Sequence, residues 1–219
     1  MPDDAVKFGI SQKVQLKPSP EKVVGLSVAT VINNIDSTGE ARVQLMLPWL
    51  PGLTPWARVA TTMAGMLRGT FFVPQIGDEV LVAFNQGDIR EPFVVGTLWN
   101  TIDRPPSLSP TDAVTQRKIR TPLGHELAFD EATQTVTLTS NTLSKVTLDP
   151  LKAELSTPFA TVTIGKDGDV AINAATKISL VAPVVEIKAA SVLTAESGGM
   201  ASVKAGTACI VQGAVVNIN

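Results

Sequence analysis

From residue 135 to the last residue the chain repeats one small unit, two apolar side chains separated by a single residue and followed by a turn. The segments TVTLTS, KVTLDP, TVTIGKDG, DVAINA, KISLVA, VEIKAA, SVKAG and VVNIN supply the pairs Val136/Leu138, Val146/Leu148, Val162/Ile164, Val170/Ile172, Ile178/Leu180, Val185/Ile187 and Val216/Ile218. From Val162 to Val170, Ile178 and Val185 the steps are eight, eight and seven residues. That spacing is a short strand plus a short turn, repeated, and it predicts a β-solenoid or β-prism. Each unit has only two or three side chains to bury, on one face. A thin sheet of such units is marginal in water unless something covers it. The strip must wrap on itself or associate with identical chains. One chain would build only a few solenoid rungs, whereas three chains contributing one strand per layer build a long, thin prism. Small residues and the loss of aromatics after Phe159 suit a narrow cross-section. The pattern therefore favours a homotrimer with Val162, Ile164, Val170, Ile172, Ile178, Leu180 and Ile187 in its core. In that register Ile172, Ile178 and Ile187 point inward, and Asn173, Lys177 and Lys188 face solvent.

Residues 22–100 read differently. All three tryptophans lie here, among short alternating runs with Gly or Pro in most connections. VVGLSVATVI, ARVQLMLPWL, WARVAT, FFVP, EVLVAF and PFVVGTLW read as strands, and no window sustains a helical period. Val43, Leu45 and Leu47 alternate with Arg42, Gln44 and Met46, and Val80, Val82 and Phe84 with Leu81 and Ala83. Five or six short strands suit a small closed barrel of the OB type, which removes its own edges by closure. The tryptophans sit beside Pro or Leu, as core or seam residues would. Residues 1–21 read as a polar N-terminal arm. Residues 101–118, with Pro105, Pro106 and Pro110, read as a linker, because proline lacks the amide donor that helix and central strand need. Residues 119–219 are then the repetitive β-region, in an all-β chain.

The chemistry available is narrow. His125 is the single histidine and Cys209 the single cysteine. That excludes a disulfide framework, a thiolate metal cluster and a His-based triad within one chain. No catalytic residue, cofactor or metal is expected. Gly77-Asp78 reads as a turn entering a strand. Asp78/Glu79 and Asp88/Glu91 read as solvated charges near turns rather than the paired carboxylates of a glycosidase. His125 reads as a turn or surface residue, although three copies converging on an axis could hold an ion. Cys209 reads as a small buried hydrophobe. A net charge of −2 supplies no basic field for nucleic acid. Arg42, Arg58, Arg68 and Arg90 are present, but with no tyrosine and with tryptophans read as packing residues, single-strand binding is not expected. No apolar run is long enough to span a bilayer. The first residues, MPDDAVKFGISQK, lack the basic n-region and apolar core of a signal peptide. The chain is thus expected to stay in the cytoplasm during assembly.

The segments LPWLPGLTPWARVAT, RGTFFVPQIGDEVLVAFNQGDIREPFVVGTLWN, IRTPLGHELAFDE and the terminal VVNIN resemble the spike proteins of contractile injection machines, the phage baseplate assembly protein V and VgrG family. The resemblance implies an OB fold followed by a triple-stranded, intertwined β-helix, a trimeric β-prism that punctures the target envelope. It implies a baseplate hub protein docked on the barrel and a PAAR-type tip protein on Val216, Asn217, Ile218 and Asn219, where open strand ends need a cap. It also implies residence in a phage-tail-like particle, with the target envelope touched only transiently. The chain looks like the short form of the family, with the hub a separate protein. Two features depart from some phage members. The terminal ACIVQGAVVNIN has no His-x-His iron site, and residues 101–118 leave no room for a lysozyme domain. The competing expectation is a β-solenoid polysaccharide-degrading enzyme of a phage tail. Against it, Glu186 and Glu196 are the only acids from residue 170 onward.

Overall fold

The computed structural model describes residues 23–107 and 109–217. The N-terminal arm, Ile218 and Asn219 therefore lie outside the described residues. The chain divides into two compact units, residues 1–141 and 142–219.

The first unit opens with β1 (Ser27–Asn33), β2 (Val43–Met46), β3 (Trp56–Val59), β4 (Ala64–Gly65), β5 (Arg68–Gly69), β6 (Glu79–Asn85) and β7 (Asp88–Leu98). Five of these close a barrel in the order β1-β2-β3-β7-β6, with β6 returning to β1. β3 meets β7 in parallel and the remaining barrel pairs are antiparallel. This is the five-stranded Greek-key order of an OB barrel. The alternation read from the sequence sets the two faces. Ala29, Val31, Val43, Leu45, Ala57, Val80, Val82 and Val94 point inward and are almost wholly buried, with Leu47 and Phe84 closing the core. Each large side chain removed from water in this way contributes on the order of 1.5–3 kcal/mol.

Two turns explain how the barrel closes. Gln86 and Gly87 both have positive φ, 50° and 84°. That is the signature of a two-residue hairpin turn whose twist matches the strands, and β6 and β7 pair around it from Asn85↔Asp88 onward. At the other end Gly77, at φ 100°, donates its N–H to the Val31 carbonyl, while the Asp78 carboxylate accepts the Gln75 N–H at 2.8 Å. Gly77-Asp78 is thus a turn tied to β1.

The FFVP segment is not a strand. Once β7 pairs with β3 the barrel has no vacant edge, and Pro74 lacks an amide to offer one. Phe71 and Phe72 instead lie exposed beside the two-stranded flap β4–β5. The tryptophans are not in the core either. Trp99 is 71% exposed, Trp49 is about half exposed, and Trp56 lies on the outer wall beneath Arg42. Trp49 donates its indole N–H to Ser27 Oγ at 2.6 Å and meets Phe84 edge-on.

Beyond the barrel, the prolines are followed by a single helical turn, α1 (Asp112–Thr115). Three strands then form an antiparallel meander: β8 (Gln116–Arg120), β9 (Glu126–Asp130) and β10 (Thr135–Thr139). The stretch expected as linker thus contains α1 and the opening of β8. The second unit carries β11 (Lys145–Leu148), β12 (Lys152–Thr157), β13 (Ala160–Gly165) and β14 (Val170–Ala174), paired antiparallel in sequence order. Here the Val162 and Val170 repeats are neighbouring antiparallel strands of one sheet. Connections of two to four residues leave no room for the crossover that parallel pairing requires. Among the described residues no strand follows Ala174, and residues 175–217 are exposed throughout.

Candidate functional site

In β11–β14 the register lines up one kind of side chain on one face. Val146 stands opposite Leu155, Leu155 opposite Val162, and Val162 opposite Ile172. One step along, Leu148, Ala153, Ile164 and Val170 form a second row. The alternate positions Thr147, Glu154, Thr163 and Ala171 fall on the other face, where Lys152 pairs with Glu154 at 2.5 Å. The apolar rows remain largely open to water, with Leu155 50% and Ile172 54% exposed. Contiguous apolar area of this kind marks an interaction surface.

Of the residues expected in a trimer core, Val162, Ile164, Val170 and Ile172 share this face. Ile178, Leu180 and Ile187 follow the last strand, exposed, and are not brought to it. Val216 and Asn217 are exposed. Sequence reading passed over Ala153 and Leu155, although KAELST alternates as clearly as the units it recognised. In the first unit β8–β10 repeat the arrangement. Ile119, Leu127 and Leu138 form one row, and Phe129 stands opposite Val136 on the same face.

The barrel presents a different surface. At the tip of the β4–β5 flap Met66 and Leu67 are exposed, and Leu67 takes a positive φ of 54° to make the turn. Met63, Phe71 and Phe72 flank them, over a groove of about 730 Å³ that reaches Val59 and Val73. No periodicity in the sequence signals this patch, since it belongs to a loop rather than to a strand face.

The charged candidates resolve into local structure. Asp88 holds Arg90 through both carboxylate oxygens, and Glu91 accepts from the Asn85 amide at 2.6 Å. His125 Nδ1 accepts the Asn141 N–H at 3.4 Å. Cys209 is exposed, in contrast to the buried role expected of it. Among the described residues no group of three or more His, Cys, Asp or Glu side chains could hold a metal, and no helix is long and apolar enough to cross a membrane. The densest polar cluster is in the β1–β2 loop. The Asp36 carboxylate, only 4% exposed, accepts from the Arg42 Nε, Nη2 and backbone N–H and from Thr38. The Arg42 guanidinium holds the Asp36 carboxyl well below the usual carboxylate range.

Comparison with known proteins agrees with this geometry. Residues 27–99, the barrel, match the family described as Type VI secretion system/phage-baseplate injector OB domain. Residues 27–99 are thus an injector-type OB barrel, and the chain is similar there to VgrG and baseplate V proteins. It is 28% identical to the Type VI secretion system spike protein VgrG2a of Pseudomonas aeruginosa over 141 residues, 57% of this chain and 17% of that protein. It is 32% identical to the spike protein VgrG5 of the same species over 99 residues, 41% of this chain and 12% of the relative. A third relative, at 29% identity over 129 residues, is the Actin cross-linking toxin VgrG1 of Vibrio cholerae, again 54% of this chain and 12% of that protein. The chain spans less than a fifth of the length of these relatives.

Proposed function

We propose that the chain is the central spike of a contractile injection machine, whether a phage tail, a tailocin or a cellular system. Three copies join through the bare rows of β11–β14 and through residues 175–217, forming a triple-stranded β-helical prism. Contraction drives the tube, and the prism concentrates that force on a small area of the target envelope. The barrel docks on a baseplate hub protein, for which the apolar flap is the natural contact. A PAAR-type tip protein binds the prism through Val216, Asn217, Ile218 and Asn219. The role is mechanical and assigns no catalytic residue.

The observation that carries this reading is the mismatch between apolar content and burial in the second unit. Ile164, Ile172, Ile178 and Leu180 are each more than half exposed in a single chain. Side chains of that kind gain on the order of 1.5–3 kcal/mol each when covered, and identical strands supply a cover of matching period.

Truncation after residue 118 tests the division of labour. The truncated chain is expected to fold as a barrel and be retained on the hub in pull-downs. Particles built with it should assemble sheath and tube yet fail to penetrate cells. Hub binding by residues 119–219 alone, with none by the barrel, would overturn the assignment.

A further inference from the structure

We propose that the apolar flap of the barrel is the seat of the chain's own N-terminal arm, with Val6, Phe8 and Ile10 in its grooves and Asp3 and Asp4 against its arginines. The arm lies outside the described residues, whereas the surface that would receive it is described throughout. Two grooves, of about 730 and 700 Å³, share Phe71, Phe72 and Val73 in their linings. Phe71 and Phe72 are largely exposed there, and Met66 and Leu67 stand clear of the barrel at the flap tip. Apolar side chains gathered on one short loop mark a docking surface.

The rim of that surface is basic. Arg68 lines the first groove, and Arg104 and Arg120 line the second. Neither Arg68 nor Arg104 forms an ion pair among the described residues, and Arg120 reaches Glu126 only at 3.7 Å. The two carboxylates in the groove linings are engaged elsewhere. Glu40 pairs with Arg42 at 3.2 Å, and Asp78 accepts the Gln75 N–H. The complement to this surface is a segment that is apolar and carries free carboxylates. A second copy's flap does not qualify, because it sets arginine against arginine.

The arm has that composition. Asp3 and Asp4 precede Val6, Phe8 and Ile10, which alternate with Lys7 and Gly9 and so offer one apolar side to a surface. It also has the reach. Val23 donates its N–H to the Gly87 carbonyl at 2.8 Å, which fixes where the arm leaves the barrel. The flap leaves at Ala60, whose N–H donates to the Val94 carbonyl at 2.8 Å. Gly87 and Val94 are seven residues apart along one chain, about 23 Å at strand rise. The twelve residues 11–22 can span up to about 40 Å, enough to bring residues 3–10 to the flap. A tether of this length gives an effective concentration of about 1 mM, so even a weak seat stays filled. Where the flap is the hub contact, the arm is a cover that the hub displaces. That consequence rests on the docking role proposed above, whereas the seat itself does not, and its test contains no hub.

Methyl NMR of the full chain, carbon-13 labelled at its five methionines, tests this. Met63 and Met66 report on the flap, and Met46 and Met200, exposed elsewhere, serve as controls. Deleting residues 2–12, or Phe8→Asp alone, should shift Met63 and Met66 and leave Met46 and Met200 in place. A synthetic peptide of residues 2–12, added to the deleted chain, should return both flap signals and saturate with a Kd below about 1 mM. Arg68→Glu with Arg104→Glu, both at exposed side chains, should weaken that peptide about tenfold. A peptide carrying Asp3→Lys and Asp4→Lys should recover most of that loss. Flap signals unmoved by the deletion and by Phe8→Asp would overturn the proposal, as would a peptide that shifts Met46 or Met200 as strongly. A lysine peptide that binds the doubly substituted chain no better than the native one would also overturn it, because charge is what selects the arm as occupant.

Discussion

The barrel and the strands β11–β14 are written in the same alternating code, yet their apolar faces end in opposite situations. In the barrel the inward rows meet one another. Leu45, Val82 and Val94 are almost wholly buried in one shared core, because β6 returns to β1 and the sheet closes on itself. In β11–β14 the corresponding rows, Val146–Leu155–Val162–Ile172 and Leu148–Ala153–Ile164–Val170, have nothing opposite them within their own sheet. Alternation therefore defines a face, but closure or a partner must complete it. The barrel carries its completion within one chain. The repetitive region, on this account, obtains it from other copies.

That difference predicts two kinds of mutational damage. The larger is in the shaft. In the proposed trimer Ile178→Asp would place like charges from three copies near one axis, where desolvation is costly, and should abolish assembly altogether. Size-exclusion chromatography should show only monomer or aggregate for this variant. An assembled, equally stable mutant would mean that Ile178 faces solvent, and the assumed register would be wrong. Leu45→Ala should cost about 2–5 kcal/mol, as removal of a fully buried leucine does. The loss should not depend on protein concentration, because Leu45 packs only within its own barrel. Denaturant unfolding at two concentrations separates the cases: barrel damage is concentration-independent, whereas shaft damage follows mass action.

Much of this organisation was legible because both regions use a period of two. Inward residues such as Val43, Leu45, Val80 and Val82 could be assigned from alternation alone. Three features escaped for separate reasons. Phe71 and Phe72 look like strand residues, but the barrel position they would need is taken by β7. Trp56 looks like core, yet its ring belongs to the outward parity of β3, one step from buried Ala57. The spacing of Val162 and Val170 fits a parallel rung and an antiparallel hairpin equally well. Only the register Val162↔Ile172 distinguishes them. The exposed β4–β5 flap had no period to read, because exposure in a loop leaves no mark on alternation.

The smallest effect sharpens the comparison on the barrel side. The Asp36 carboxyl is held below its ordinary value of 3.8 by the Arg42 guanidinium. A carboxylate with a depressed folded-state pKa contributes stability above its unfolded value, and loses it as pH falls through the folded one. Asp36→Asn should therefore lower the barrel's melting temperature modestly at neutral pH, and the gap from wild type should narrow below about pH 4. Thermal melts between neutral and acidic pH would show this. A gap that stays constant with pH would mean that the clamp is not electrostatic.

The central claim is that the apolar rows left open in one chain are covered by identical chains. Sedimentation velocity combined with light scattering, on the intact protein across a wide dilution series, tests it most directly. The account predicts a single species of three times 23.0 kDa that survives dilution and resists denaturant. A folded, cooperatively unfolding species of 23.0 kDa at every concentration would contradict it.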